Sequence, residues 1–223
     1  MPLWAQDGGR PALLRRFDDP ALAKRLREGI TENLRKRGGP DKLLITEGRY
    51  ANQTLAQVMQ ALGQDAVGAA IAVIRVGDPA VVSFNQAEPD IVTFMARPWV
   101  MTGSDASIGH PRVYGSFARK YREYVVRRRV LTLRRFVERS STLAADTFGL
   151  AGRGRLAPGA FADVVVFDPR HFAERATYRQ PTLLANGVRT VLVNGQIAVA
   201  DGRPTGRAAG RPLKHDPTPG TCP

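Results

Sequence analysis

Trp99-Val-Met-Thr-Gly-Ser-Asp105 decides how the rest of the chain is read. Pro98 ends the element before it. Trp99–Thr102 is short, apolar and bulky, the pattern of a buried strand. Gly103-Ser104 breaks the run and leaves Asp105 at the strand's C-terminal mouth. In a barrel of parallel strands, that mouth is where the chemistry sits. Taken locally, Asp105 reads as a turn residue or a helix cap; its context must decide.

On the N-terminal side, Ala80–Phe84 has the look of a strand that Asn85-Gln86 leaves. A helix opened by Pro89 carries Ile91, Val92, Phe94 and Met95. Strand, helix and the Trp99 strand then make a βα unit of a parallel sheet. Further back, Met1–Pro11 reads as a loop. Asp19-Pro20 is a helix start, followed by an apolar stripe of Leu22, Leu26, Ile30 and Leu34 that Gly38-Gly39-Pro40 closes. Leu43-Leu44-Ile45 is a short strand. Thr54 caps Leu55–Leu62, and Asp65 caps a helix running to about Val76.

On the C-terminal side, Ser107–Ser116 is rich in Gly, Pro and Ser and reads as a loop at the same mouth, carrying His110 and Arg112. Phe117–Val130 has helical spacing. Thr132 caps Leu133–Ser140, and Thr142 caps Leu143–Phe148. From Gly152 the texture becomes β-rich. A glycine-punctuated turn leads into Val164–Asp168, and Asn194-Gly195 joins two short apolar runs as a hairpin.

The chain has 223 residues and 43% hydrophobic side chains, ordinary for a globular protein. No apolar run reaches the ~20 residues of a membrane span. No basic region followed by an apolar core marks a signal peptide. The single cysteine, Cys222, supports neither a disulfide framework nor a thiolate metal site, so a cytoplasmic setting is expected. The net charge of +13 invites a nucleic-acid partner. The arginines, however, are spread along the whole chain, and no aromatic residues interleave with Arg35-Lys36-Arg37 or Arg127-Arg128-Arg129 as stacking would need. We expect no nucleic-acid or membrane partner.

The stretch Gly154-Arg-Leu-Ala-Pro-Gly-Ala-Phe-Ala-Asp-Val-Val-Val-Phe-Asp168, with Val191-Leu-Val-Asn-Gly195, resembles the closing β-segment of metal-dependent amidohydrolases. Pro2-Leu-Trp-Ala-Gln-Asp-Gly-Gly9, Val81-Val-Ser-Phe84, Pro98–Asp105, His110-Pro-Arg112 and Phe148-Gly-Leu150 resemble the D-aminoacylase (N-acyl-D-amino-acid deacylase) branch. The resemblance implies an α/β fold: the C-terminal part of a TIM-like (β/α)8 metal-dependent hydrolase barrel plus part of a β-sandwich, a urease-like composite domain. A complete barrel takes ~250 residues, so the chain is expected to be the C-terminal portion of such an enzyme. The implied divisions are a helical, lid-like region at 1–78, the last barrel βα units at 79–150, a β-sandwich segment at 151–206 and a flexible tail at 207–223.

The implied activity is zinc-dependent hydrolysis of the C–N bond of an N-acyl-D-amino acid. A metal activates water and polarises the carbonyl, and a neighbouring carboxylate carries the proton to the departing nitrogen. By resemblance that carboxylate is Asp105. His110, Arg112 and Gln86 are candidate substrate-binding residues; Arg112 offers a bidentate fork to a substrate carboxylate. The family holds zinc with a His-x-His pair, a bridging residue and two further histidines. His110, His171 and His215 match none of those positions, so no metal ligand is assigned here. The isolated chain is expected to be inactive, with a second chain as the candidate partner for the other barrel half. Alternatives are a hydantoinase- or dihydroorotase-like branch and a non-catalytic basic interaction protein.

Overall fold

The computed structural model describes residues 1–106 and 109–213. The tail positions His215 and Cys222 lie outside the described residues. The chain divides into two compact units, Met1–Ala87 and Glu88 onward.

The first unit is mostly helical: α1 (Leu3–Gln6), α2 (Gly9–Phe17), α3 (Ala23–Lys36), β1 (Leu43–Ile45), α4 (Leu55–Leu62), α5 (Ala66–Val76) and β2 (Val81–Ser83). Its N-terminus is not the expected loop. Gly8 and Gly9 adopt left-handed φ of 79° and 73°, which lets the chain turn between α1 and α2. Arg16 then donates to the Ala5 and Asp7 carbonyls left open at the end of α1. The third helix starts later than Asp19-Pro20. Asp19 Oδ1 accepts the Ala21 N–H at 2.9 Å in a tight turn, so regular helix begins only at Ala23.

The two short helices after β1 form where their caps place them. Thr54 and Gln57 make a reciprocal capping box, and Gly63 ends α4 at φ 62°. Asp65 Oδ1 accepts Gly68 N–H at 2.8 Å at the head of α5. Leu43, Ile45, Leu55, Val58, Ala69 and Val73 close into one buried cluster. Among the described residues the expected parallel sheet is not formed. β2 pairs antiparallel with β1, Leu44 opposite Val82, so the Ala80–Phe84 run completes the first unit rather than opening a βα unit.

The second unit begins with α6 (Glu88–Ala96). Trp99–Thr102 is the main correction to the expected fold: it is not a buried strand. Pro98-Trp99 lies in a turn after α6, Trp99 is 68% exposed, and the Thr102 N–H goes to the Arg139 carbonyl at 3.0 Å. A strand needs a ladder of partners, and among the described residues none runs beside it. The expected Ser107–Ser116 loop, of which 107 and 108 lie outside the described residues, also ends early. Helix α7 (Arg112–Lys120) starts inside it and passes directly into a π-helical stretch, Tyr121–Arg127. α8 (Leu133–Ser140) carries the expected Thr132 cap. α9 (Thr142–Thr147) takes in Thr142 itself, whose hydroxyl is used on the Gly154 carbonyl at 2.6 Å instead of on a cap.

The sheet β3 (Val164–Phe167), β4 (Val188–Val193), β5 (Gln196–Ala200) and β6 (Arg203–Pro204) is antiparallel throughout, in that order. Asn194 and Gly195 have φ of 49° and 79°, the left-handed pair that a two-residue hairpin turn demands. Asp163 anchors this turn to the start of β3. It accepts Asn194 N–H at 2.8 Å and pairs with Arg153, which also donates to Asn194 Oδ1 at 2.7 Å. Helices and sheet meet in an aromatic cluster: Tyr121 lies 5.5 Å from Phe136, 5.7 Å from Phe167 and 5.5 Å from Phe172. The Tyr121 hydroxyl donates to the Pro169 carbonyl at 3.2 Å.

Candidate functional site

Asp105 sits at φ 44°, in the left-handed region that Asp tolerates better than most side chains. Its carboxylate is 86% exposed and pairs with Arg112 at 2.8 Å. Arg112 opens α7, and its own N–H donates to His110 Nδ1 at 3.0 Å. Nδ1 is therefore an acceptor, and the neutral ring carries its proton on Nε2. Burial pushes the imidazole below its ordinary value, the Arg112 charge pushes the same way, and Asp105 opposes both. His110 is thus held neutral near pH 7, with an N–H to donate rather than a charge.

The histidine is held from one side by Tyr178, edge-on at 5.2 Å. The 174–176 segment that leads to Tyr178 packs beside Gly115 of α7. A Cβ at Gly115 would meet Glu174 Cβ at 3.5 Å and Ala176 Cβ at 3.6 Å, ordinary van der Waals contact. Arg119 pairs with Glu174 at 3.7 Å on the same contact.

Behind Asp105, Lys120 closes α7 at only 8% exposure and donates to Thr102 Oγ1 at 2.7 Å. Thr102 Oγ1 and Ser140 Oγ share a hydrogen bond of 2.9 Å. Arg139, 4% exposed, reaches the Met95 and Ala96 carbonyls at the end of α6, where a cation suits the helix dipole. Burial and the neighbouring Arg139 charge lower Lys120 to about 8.

Of the four residues singled out in the sequence, Asp105, Arg112 and His110 come together. Gln86 is exposed in the first unit, after β2. His171 is a surface residue whose Nδ1 lies 2.9 Å from Asp168, holding that carboxyl down to about 2. Tyr178, Lys120 and Thr102 escape a sequence reading. The one signal for Lys120 is that it is one of five lysines in a chain with 33 Lys plus Arg.

A family model described as "Amidohydrolase family" matches residues 2–199. The chain belongs to the amidohydrolase family. It is 40% identical over 168 residues to an N-acyl-D-glutamate deacylase of Alcaligenes xylosoxydans xylosoxydans, covering 74% of this chain and 34% of that protein. A D-aminoacylase of the same organism is 40% identical over 134 residues, covering 58% of this chain and 28% of the relative. Among solved structures, an N-acyl-D-glutamate deacylase from Bordetella bronchiseptica, complexed with zinc and a phosphonate inhibitor, matches with 37% identity and a TM-score of 0.67. That match covers 76% of this chain and 38% of the other. The chain thus spans about a third of the length of these relatives.

The described residues do not fit a zinc ion. No three His, Cys, Asp or Glu side chains gather among them at a position that could hold a metal. Beside Asp105 stands a guanidinium, and the nearest imidazole spends Nδ1 on a backbone N–H. Nor, among the described residues, is any helix long and apolar enough to cross a membrane.

Proposed function

We propose that this chain serves a hydrolase that splits the C–N bond of N-acyl-D-amino acids, contributing the proton-carrying carboxylate Asp105 and its immediate supports. The likeness to N-acyl-D-glutamate deacylase carries this reading. It is consistent with an exposed carboxylate flanked by a guanidinium and a neutral imidazole. Such a carboxylate can take a proton from an attacking water and return it to the departing nitrogen. His110, neutral and donating from Nε2, suits a hydrogen bond to the acyl oxygen or the nitrogen. Arg112 suits a substrate carboxylate.

In this reading residues 1–78 form a lid-like helical region, 79–150 join the end of a (β/α)8 barrel once the remaining strands offer them partners in place of the present β1–β2 pairing, 151–206 belong to a β-sandwich and 207–223 to a tail. The rest of the barrel and the metal ligands come from another polypeptide segment, in a cytoplasmic setting. Assay of the chain on N-acetyl-D-glutamate and other N-acetyl-D-amino acids, alone and mixed with the N-terminal two thirds of the Alcaligenes relative, tests the proposal. Expected is turnover in the mixture only, lost in Asp105→Asn. Turnover of a hydantoin but of no N-acyl-D-amino acid refutes it.

A further inference from the structure

Asp105 has little to hold it in place. It is exposed, follows Gly103-Ser104 and, among the described residues, pairs with no strand. The supports lie at the two ends of one helix. α7 has nine residues, a rise of about 12 Å from first to last. Its first residue, Arg112, grips Asp105 at 2.8 Å, and its last, Lys120, grips Thr102 at 2.7 Å. Three extended residues span about 10 Å, so the Thr102–Asp105 segment can lie along the helix with both ends tied. Thr102 carries most of the load: its hydroxyl meets Lys120 and Ser140, and its N–H meets Arg139.

The geometry points to α7 as a two-point clamp, with Lys120 a positioning residue that sets Asp105 through Thr102 and Arg112 the second jaw. The role rests on the deacylase reading only for its purpose; the clamp itself is a property of this chain. A buried lysine with a hydroxyl as its acceptor and another cation beside it is expensive to keep. Apolar packing would fill the same place without that cost, but it could not hold Thr102 by a directed bond. In its partner role Arg112 is committed to Asp105 until a substrate carboxylate competes for it, so substrate arrival would loosen one jaw while Lys120 keeps the other.

The test uses the isotopically labelled chain and needs no turnover, so it fails independently of the deacylase assay. The readouts are the His110 titration midpoint, which Asp105 raises, and amide exchange at Thr102. In Lys120→Met the clamp opens at Thr102 and Asp105 drifts from Arg112. The His110 midpoint then falls further below its wild-type value, and Thr102 exchange rises about tenfold, the equivalent of ~1.4 kcal/mol. Near-UV circular dichroism of the tyrosines stays unchanged. Thr102→Val removes the acceptor from the other side and produces the same two changes, whereas Thr102→Ser keeps both readouts at wild-type values. The double variant moves them no further than either single one. If Lys120→Met does not fold, Thr102→Val against Thr102→Ser decides. A folded Thr102→Val with an unmoved His110 midpoint and unchanged Thr102 exchange overturns the clamp.

Discussion

The first unit buries aliphatic side chains behind locally specified helices; the second ties its helices to its sheet with aromatic rings and two buried cations. Around β1 in the first unit, Ile30, Ile45 and Val58 are almost wholly enclosed. In the second, Trp99, Phe94, Phe148, Val165 and Val166 remain exposed while Lys120 and Arg139 are inside. Capped helices with an apolar stripe can find their partners a few residues away. Elements that take their partners from far along the chain leave apolar surface open wherever those partners are not met. The two halves therefore rely on different interactions, and they should fail differently.

Phe136→Ala should hurt most. It removes the ring that packs on Tyr121, itself against Phe167 of β3, and ~3–5 kcal/mol of stability should go with it. In a Trp99→Phe, Tyr50→Phe background, the near-UV signal of the remaining tyrosines should collapse at lower urea while Trp4 fluorescence, which then reports the first unit, keeps its midpoint. If both signals shift together, the two halves are one cooperative body.

Ile45→Ala is the mirror experiment, expected to cost ~2–5 kcal/mol because the 2%-exposed side chain leaves a cavity under α4 and α5. Here the Trp4 transition should move and the tyrosine signal stay.

The third contrast is with pH. Lys120 has a value of about 8 in the folded chain against 10.5 for an ordinary lysine. Between those limits the unfolded chain holds the proton and the folded one does not. Stability of the second unit should therefore rise as pH goes from 8 to 10.5, by no more than ~1.4 kcal/mol per pH unit for one proton. Subtracting the Lys120→Met curve isolates it. A flat difference shows that the amine is better solvated than its burial indicates.

The smallest effect sharpens the picture of the first unit. Thr54→Ala removes the hydroxyl that caps α4 and should cost ~1 kcal/mol in the Trp4-monitored transition.

Legibility follows the same division. Thr54, Gly63, Asp65 and the Asn194-Gly195 pair carry their meaning within four residues, because a cap or a tight turn is decided by neighbours on the chain. The α1–α2 turn was missed since Gly8-Gly9 looks like a loop until Arg16 is known to close it. Trp99–Thr102 has the composition of a strand, yet composition cannot supply the neighbouring strands on which a ladder depends. At the candidate site, Asp105, His110 and Arg112 were legible because they stand close together in sequence. Lys120 and Tyr178 were not: they lie 18 residues from Thr102 and far beyond His110, and only the fold brings them in.

The hairpin turn has one more consequence, for chemical ageing. Asn-Gly is the dipeptide most prone to deamidation, because the glycine nitrogen can attack the asparagine side-chain carbon and form a succinimide. In this chain Gly195 N–H is engaged with the Ala162 carbonyl at 2.9 Å. The Asn194 side chain is gripped at both ends, its oxygen by Arg153 and its nitrogen by the Ala209 carbonyl at 2.7 Å. The attacking and attacked atoms are thereby kept from the geometry the reaction needs. Loss of ammonia at Asn194 becomes a slow clock that runs only while this end of the sheet is open, and its rate in stored protein would count those openings.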